Sequence, residues 1–341
     1  MNLPGVRFFF LLATLCSAFA AQINERQFTP GQYQTPDGAL VMGTDGSFVE
    51  PYFATKALIV AQDAGLAVQK PALSWIGWFL PRQMQDGRPY RYCHKEGKWR
   101  RCGRADADDS MLSLWLQLVY RMSPDSGLRP EWQASAARSE KQLDQLRDKR
   151  TGLYRISREN HTSLFMDNVE VYSALKDVAT QKSRLGDHAG AQGTQAKADA
   201  LAGAIEKNFW DKKYRYFRVS NQKESRRTQF YPDAVAQTFA LQAGLPIPNR
   251  DPEMEWAEWK REFGPDWLEQ RRDPHPWGLV ALTADKMRDD NTAACWVARA
   301  EHLRYGENWN VLEEAAYQAL EAKVGEGKLN ARACTEVVAW R

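Results

Sequence analysis

Beyond its first twenty residues the sequence has no apolar run that approaches the roughly 20 residues needed to cross a bilayer. It has five cysteines, no Cys-x-x-Cys and no close pair of histidines. That excludes the common zinc frameworks, so no metal and no cofactor is expected. Neither sign of charge prevails: 46 Lys and Arg stand against 43 Asp and Glu, a net charge of +3. The cations are scattered among acids, with only short clusters such as Lys98-Trp99-Arg100-Arg101. Such a balance argues against nucleic acid as a partner. Linkers rich in Pro, Gly or Ser are also missing, which predicts one domain over residues 21–341.

The first twenty residues read differently. Arg7 is followed by the apolar run Phe8 to Leu15 and by Ala18-Phe19-Ala20, a small-x-small cleavage site. This predicts a signal peptide over residues 1–20 and a periplasmic or secreted protein. Bulky Leu15 before Cys16 argues against a lipid anchor. Four cysteines remain, an even number in an oxidising compartment, and their order predicts two disulfides. Cys93–Cys102 staples a polar loop, and Cys295–Cys334 ties two C-terminal helices.

Hydrophobic residues make up 43% of the chain, enough for a large core, and 13 Trp and 12 Tyr are a surplus. Flat aromatic faces stack on the C–H faces of sugar rings, although more than half of these rings are expected in a helical core. The text also repeats. Glu50, Asp108, Asp167 and Asp233 each open an apolar segment and are each followed, eight residues on, by a leucine. Weaker units begin at Pro276-Trp277 and Trp309-Asn310. Between them lie one-sided segments such as 130–148 and 187–210, whereas Met111 to Val119 is apolar nearly all round. A helix apolar all round is buried on both sides; a one-sided helix belongs to an outer layer.

The alternation predicts six helical hairpins, an all-α (α/α)6 barrel with inner helices over 51–65, 106–122, 163–181, 232–243, 276–287 and 309–324. The outer helices are expected over 71–84, 130–148, 187–210, 253–270, 290–304 and 329–340. Short β-hairpins are expected before inner helices, at 40–49, 90–101, 153–157 and 214–219.

Parallel inner helices would gather their leading acids at one mouth. Such acids are also ordinary helix caps. Crowded carboxyls, however, are what glycoside hydrolysis needs: one protonated as acid, another ionised as base or nucleophile. The candidate catalytic residues are Glu50, Asp108, Asp167 and Asp233. Tyr52, Asp106, Asp109, Trp99, Tyr231, Trp277 and Trp309 are candidates for binding a polysaccharide or oligosaccharide. Of the five histidines, His275 between two prolines stands at an inner-helix start.

The arrangement resembles the six-hairpin glycosidase superfamily. Asp106-Ala107-Asp108 ahead of Leu114-Trp115-Leu116 resembles the Asp-Ala-Asp-Leu-Trp stretch of family 8 glycoside hydrolases. That resemblance implies Glu50 as proton donor, Asp108 as a ligand of the central sugar and an inverting mechanism. It leaves the base open between Asp167 and Asp233. Glu50 is followed by Pro51-Tyr52, where the family has Gly-x-Ser-Tyr. A non-catalytic carbohydrate-binding or scaffold protein on the same barrel is the alternative, and a lyase or epimerase a third.

Overall fold

The computed structural model describes residues 26–222, 229–327 and 334. The proposed signal peptide and most of the twelfth predicted helix, 329–340, lie outside them. Among the described residues are eleven α-helices. The inner set is α1 (Pro51–Asp63), α3 (Asp108–Met122), α5 (Phe165–Arg184), α7 (Val235–Ala243), α9 (Gly278–Lys286) and α11 (Val311–Gly325). The outer set is α2 (Gln69–Phe79), α4 (Pro130–Leu146), α6 (His188–Phe209), α8 (Pro252–Leu268) and α10 (Asp290–Ala300).

Their burial follows their text. Every residue of α3 from Asp108 to Tyr120 is buried. In α4 the buried residues recur at Trp132, Ser135, Ala136, Ser139, Leu143 and Leu146, a single stripe at helical spacing. The four leucines of the repeat, Leu58, Leu116, Leu175 and Leu241, all lie in the core. Helix ends carry their expected signals. Pro stands in the first turn of α1, α4 and α8. Gly244 closes α7 in the left-handed region at φ 63°, where a side chain is disfavoured.

The inner helices form a ring. α1 packs on α3, α3 on α5, α5 on α7, α7 on α9, α9 on α11, and α11 returns to α1. Each outer helix packs against an inner one: α4 on α3, α6 on α5, α10 on α9 and α11. The inner helices run the same way. At one end Arg121 of α3 bridges Asp63 of α1 and Asp177 of α5, at 2.6 and 2.7 Å. At that same end Lys323 of α11 pairs with Asp285 of α9. The opposite end therefore carries all six N-termini.

Two ends differ from expectation. A helix predicted from 232 begins as a five-residue wide turn, Phe230–Ala234, before α7. The helix predicted from 276 begins at Gly278 because Trp277 sits in the left-handed region, φ 53° and ψ 60°, which no helix continues through. The β elements are short. β1 (Phe48–Val49), β2 (Tyr90–Lys95) and β3 (Lys98–Arg104) form an antiparallel sheet in that order, and β4 (Trp210–Asp211) pairs with β5 (Tyr216–Phe217). Residues 40–49 supply β1 to that sheet rather than a regular hairpin of their own. Cys93–Cys102 and Cys295–Cys334 are both disulfides, with Cα atoms 5.7 and 4.5 Å apart. Most tryptophans, among them Trp75, Trp115, Trp259 and Trp296, fill the layers between helices.

Candidate active site

A cavity of about 550 Å³ opens at the N-terminal end of the ring. All six inner helices reach it through their first turns or the residues just before them. Tyr52 and Phe53 come from α1, Asp106 and Ala107 precede α3, and Met166, Asp167 and Glu170 come from α5. Tyr231 precedes α7, Asp273, His275 and Trp277 precede α9, and Asn310 and Glu313 belong to the start of α11. Five carboxyl groups thus face one concave surface.

They are held differently. Glu170 accepts a hydrogen bond from the Tyr52 hydroxyl at 2.8 Å and pairs with Lys56 at 3.0 Å, so it is a fixed, neutralised anion in the cavity floor. Asp167 reaches the cavity, but its Oδ2 is enclosed and has no hydrogen-bond partner among the described residues. Behind it Asp109, fully buried, also leaves its Oδ2 without a partner. Burial is the largest cause for both and pushes their carboxyls well above the usual range; the charge of Asp167 adds to it at Asp109, and those of Glu170 and Asp106 add to it at Asp167. Two carboxyls this buried cannot both ionise, so the pair retains a proton at neutral pH.

Glu313 is buried on α11. Its Oε2 accepts the backbone N–H of Gly278 at 2.6 Å. Burial raises its carboxyl to about 7, against the pull of the N–H groups of Gly278 and Trp277. Asn310 and Glu313 spell a capping box, yet the structure uses them otherwise. Asn310 caps α11 by accepting from Leu312 and Glu313, while the Glu313 carboxylate crosses to α9.

The apolar wall is a stacked pair. Tyr231 and Trp277 lie with ring centroids 4.9 Å apart and planes 24° apart. Tyr231 is 49% exposed, which leaves a broad ring face for a ligand. Trp277 is held in a conformation that costs a non-glycine residue about 1 kcal/mol or more, and its Nε1 is buried without a partner.

The remaining sequence candidates lie off this lining. Glu50 is buried just before α1, its carboxylate in an ion pair with Arg91 of β2. Arg91 also reaches Asp106 at 3.5 Å, so Glu50 stands one residue behind the cavity. Asp108, the first residue of α3, turns toward Arg88, Arg104 and Glu159, and burial raises its carboxyl to about 6. Asp233 accepts the Gln229 N–H at 3.0 Å and closes the turn before α7. Trp99 lies on β3, edge-on to Trp78, and donates to Asp37 at 3.1 Å. Trp309 is buried against Trp296 and donates to Glu314 at 3.1 Å. Of the sequence candidates, Tyr52, Asp106, Asp167, Tyr231 and Trp277 therefore share the cavity, with Asp109 directly behind. Glu170, Asp273, His275 and Glu313 join them. His275 was conspicuous between its prolines, and Glu170 belongs to the repeat unit Asp167-Asn168-Val169-Glu170. Asp273 and Glu313 carried no signal that separates them from surface acids.

The buried pair has a thermodynamic signature. A carboxyl raised in the folded state favours folding below its unfolded value, about 3.9. That contribution is lost as pH rises through the folded value. Asp109→Asn removes one member of the pair and keeps an acceptor for the Ser110 N–H. Relative to the wild type, the variant should melt at about the same temperature near pH 4 and roughly 2 °C higher near pH 8. Thermal melts across this range check it; a difference independent of pH would contradict the shared proton.

No protein-family model matches the sequence, and no curated protein sequence matches it. Solved structures do. The chain is similar to a rhamnosidase from Klebsiella oxytoca, with TM-score 0.54 and 11% identity, covering 84% of this chain and 60% of the rhamnosidase. It therefore spans less than two thirds of that protein. It is also similar to a family 63 mannosylglycerate hydrolase from Thermus thermophilus, with TM-score 0.52, 14% identity and 86% and 96% of the two chains covered. A third is an α-amylase from Clostridium perfringens, with TM-score 0.55, 10% identity and 86% and 94% covered. This chain has the six-hairpin, (α/α)6 fold of these glycosidases.

Proposed function

We propose that the protein is an exported glycosidase that cleaves a polysaccharide, with Asp167 as proton donor and Glu313 as base. The observation that carries this reading is the pairing of two unlike carboxyls across one cavity. Burial pushes Asp167 up to about 8, whereas the backbone N–H groups on Glu313 offset part of its burial and hold it lower, at about 7. Environments that separate two carboxyls in this way set the acid and base roles.

Asp167 gives its proton to the leaving glycosidic oxygen. Glu313 takes a proton from a water that attacks the anomeric carbon. α5 and α11 are the third and sixth members of the ring, and both residues line the same cavity. An inverting hydrolase needs about 6.5–9.5 Å between the two, room for that water, and the inverting course is part of the proposal. The Tyr231–Trp277 wall stacks on a sugar ring. Lys56 and Tyr52 neutralise Glu170, leaving Asp106 and Asp273 to bind hydroxyls. The fold-mates named as rhamnosidase, mannosylglycerate hydrolase and amylase support glycosidic bonds as the target. The signal-like N-terminus and the two disulfides support export.

The test is sugar release from a panel of bacterial exopolysaccharides by the wild type, Asp167→Asn, Glu313→Gln and Glu50→Gln. Loss in the first two variants with activity kept in Glu50→Gln is expected. Loss in Glu50→Gln alone would move the donor to that residue, and binding without any release would favour a non-catalytic sugar-binding protein. Within the same assay Tyr231→Ala should raise KM about tenfold, ~1.4 kcal/mol, and change kcat little, because stacking serves ground and transition states alike. A fall in kcat at unchanged KM would contradict its role as a platform.

A further inference from the structure

The β2–β3 hairpin carries six cations, Arg91, Lys95, Lys98, Arg100, Arg101 and Arg104, and one acid, Glu96. Arg91 pairs with Glu50, Arg104 with Glu159 and Arg100 with Glu96, which leaves Lys95, Lys98 and Arg101 outside the ion pairs among the described residues. It lies on the rim of the cavity. Its base is tied there, since Arg91 reaches Glu50 and Asp106, and Asp106 follows directly after β3. Its inner face packs down through Trp99 and Tyr92 on Trp78 of α2, each ring pair with centroids 5.4 Å apart. The other face looks outward. There Lys95 stands directly opposite Lys98, and Arg100 opposite Cys93. Like charges opposite each other destabilise a hairpin. Among the described residues no carboxylate lies within ion-pair distance of Lys95 or Lys98. The Cys93–Cys102 disulfide and a tight turn at Glu96-Gly97, both at positive φ, hold this arrangement in place. The remainder of the chain carries nearly balanced charge, so the concentration is local.

The cavity has the opposite character: five carboxyls line it, and no lysine or arginine is among its described lining residues. An anionic sugar is disfavoured inside it and favoured on the rim. We infer that the β2–β3 hairpin is a binding surface for the acidic residues of an anionic polysaccharide, whose uncharged residue enters the cavity. This deepens the glycosidase reading and rests on it for the role of the cavity, but the rim contact is measurable without cleavage.

The experiment is affinity electrophoresis through gels containing carboxymethylcellulose or hydroxyethylcellulose, two soluble polymers that share a backbone and differ in charge. The wild type should be retarded by carboxymethylcellulose and not by hydroxyethylcellulose. Retardation should vanish at about 1 M sodium chloride, where the Debye length falls to about 3 Å. The double variant Lys98→Glu, Arg100→Glu should need about tenfold more carboxymethylcellulose for half-retardation. Both positions are solvent-exposed, and circular dichroism checks that the variant is folded. Asp167→Asn should be retarded like the wild type. Equal retardation by the two polymers, or no effect of the charge reversal, would overturn the proposal. So would binding to phosphatidylglycerol vesicles without retardation by carboxymethylcellulose, which would assign the hairpin to a membrane surface. If Asp167→Asn still releases sugar while retardation follows the charges, the catalytic assignment fails and the rim surface stands.

Discussion

Asp167→Asn is expected to lower kcat on the active polysaccharide by about 10³-fold while the protein stays folded. A positioned general acid contributes roughly 10²–10⁴-fold, and asparagine cannot supply the proton. Asparagine has nearly the same shape and needs no desolvation of charge, and Asp109 behind it gains a possible amide donor. The fold therefore survives, with a melting temperature equal to or above that of the wild type near neutral pH. Substrates with a good leaving group should be cleaved with a much smaller loss, because they need little protonation. Unchanged kcat on the natural linkage would remove Asp167 from the donor role, whatever the variant does to stability.

Gly278→Ala is the second large effect. A Cβ at this position would sit 2.5 Å from the Ala316 Cβ, 2.8 Å from Glu313 Oε2 and 3.2 Å from Trp296. Ala316 has no flexible end that can yield, so α9 must move away from α11. Overpacking of this kind costs about 1–3 kcal/mol. A fall of about 5 °C in Tm follows for a domain of this size. The same movement pulls the Gly278 N–H away from Glu313 and shifts the base from its water. Activity should therefore drop well beyond the loss of folded protein, by ~10-fold or more. Gly77→Ala is the control. That glycine lies in the exposed face of α2 with nothing within 4 Å of a Cβ, and the change should be neutral or stabilising by up to about 1 kcal/mol. Similar losses in both variants would show that the close approach of α9 to α11 is not what the site depends on.

The architecture was legible because burial has a period. The all-round apolar text of α3 and the single stripe of α4 state directly which helix is enclosed and which faces water. The leucine eight residues after each leading acid marks the same inward position in α1, α3, α5 and α7. The site was legible only in part. A leading acid announces the right end of the barrel, but its direction depends on its place in the first turn and on distant partners. Asp167, third in α5, points into the cavity. Glu50, one residue earlier than α1, meets Arg91, which lies 41 positions away and which nothing in the local sequence foretells. Asp108 and Asp109 are adjacent, yet the helix turns one toward Arg88 and Arg104 and the other toward Asp167. Glu313 looks like the third residue of a capping box, and only the approach of Gly278, 35 positions back, gives its carboxylate another partner. Trp277 was visible as an aromatic residue at a helix start, but its left-handed backbone, which delays the start of α9 to Gly278, was not, nor was the stacking of its ring on Tyr231.

A crystal structure of Asp167→Asn soaked with an oligosaccharide from the polymer that the wild type cleaves is the most direct measurement. The glycosidic oxygen is expected beside the residue 167 side chain, a sugar face on the Tyr231–Trp277 wall, and a water between the anomeric carbon and Glu313. A sugar bound instead outside the ring, or oriented with its glycosidic oxygen away from residue 167, would contradict the claim that the six inner helices present one catalytic cavity.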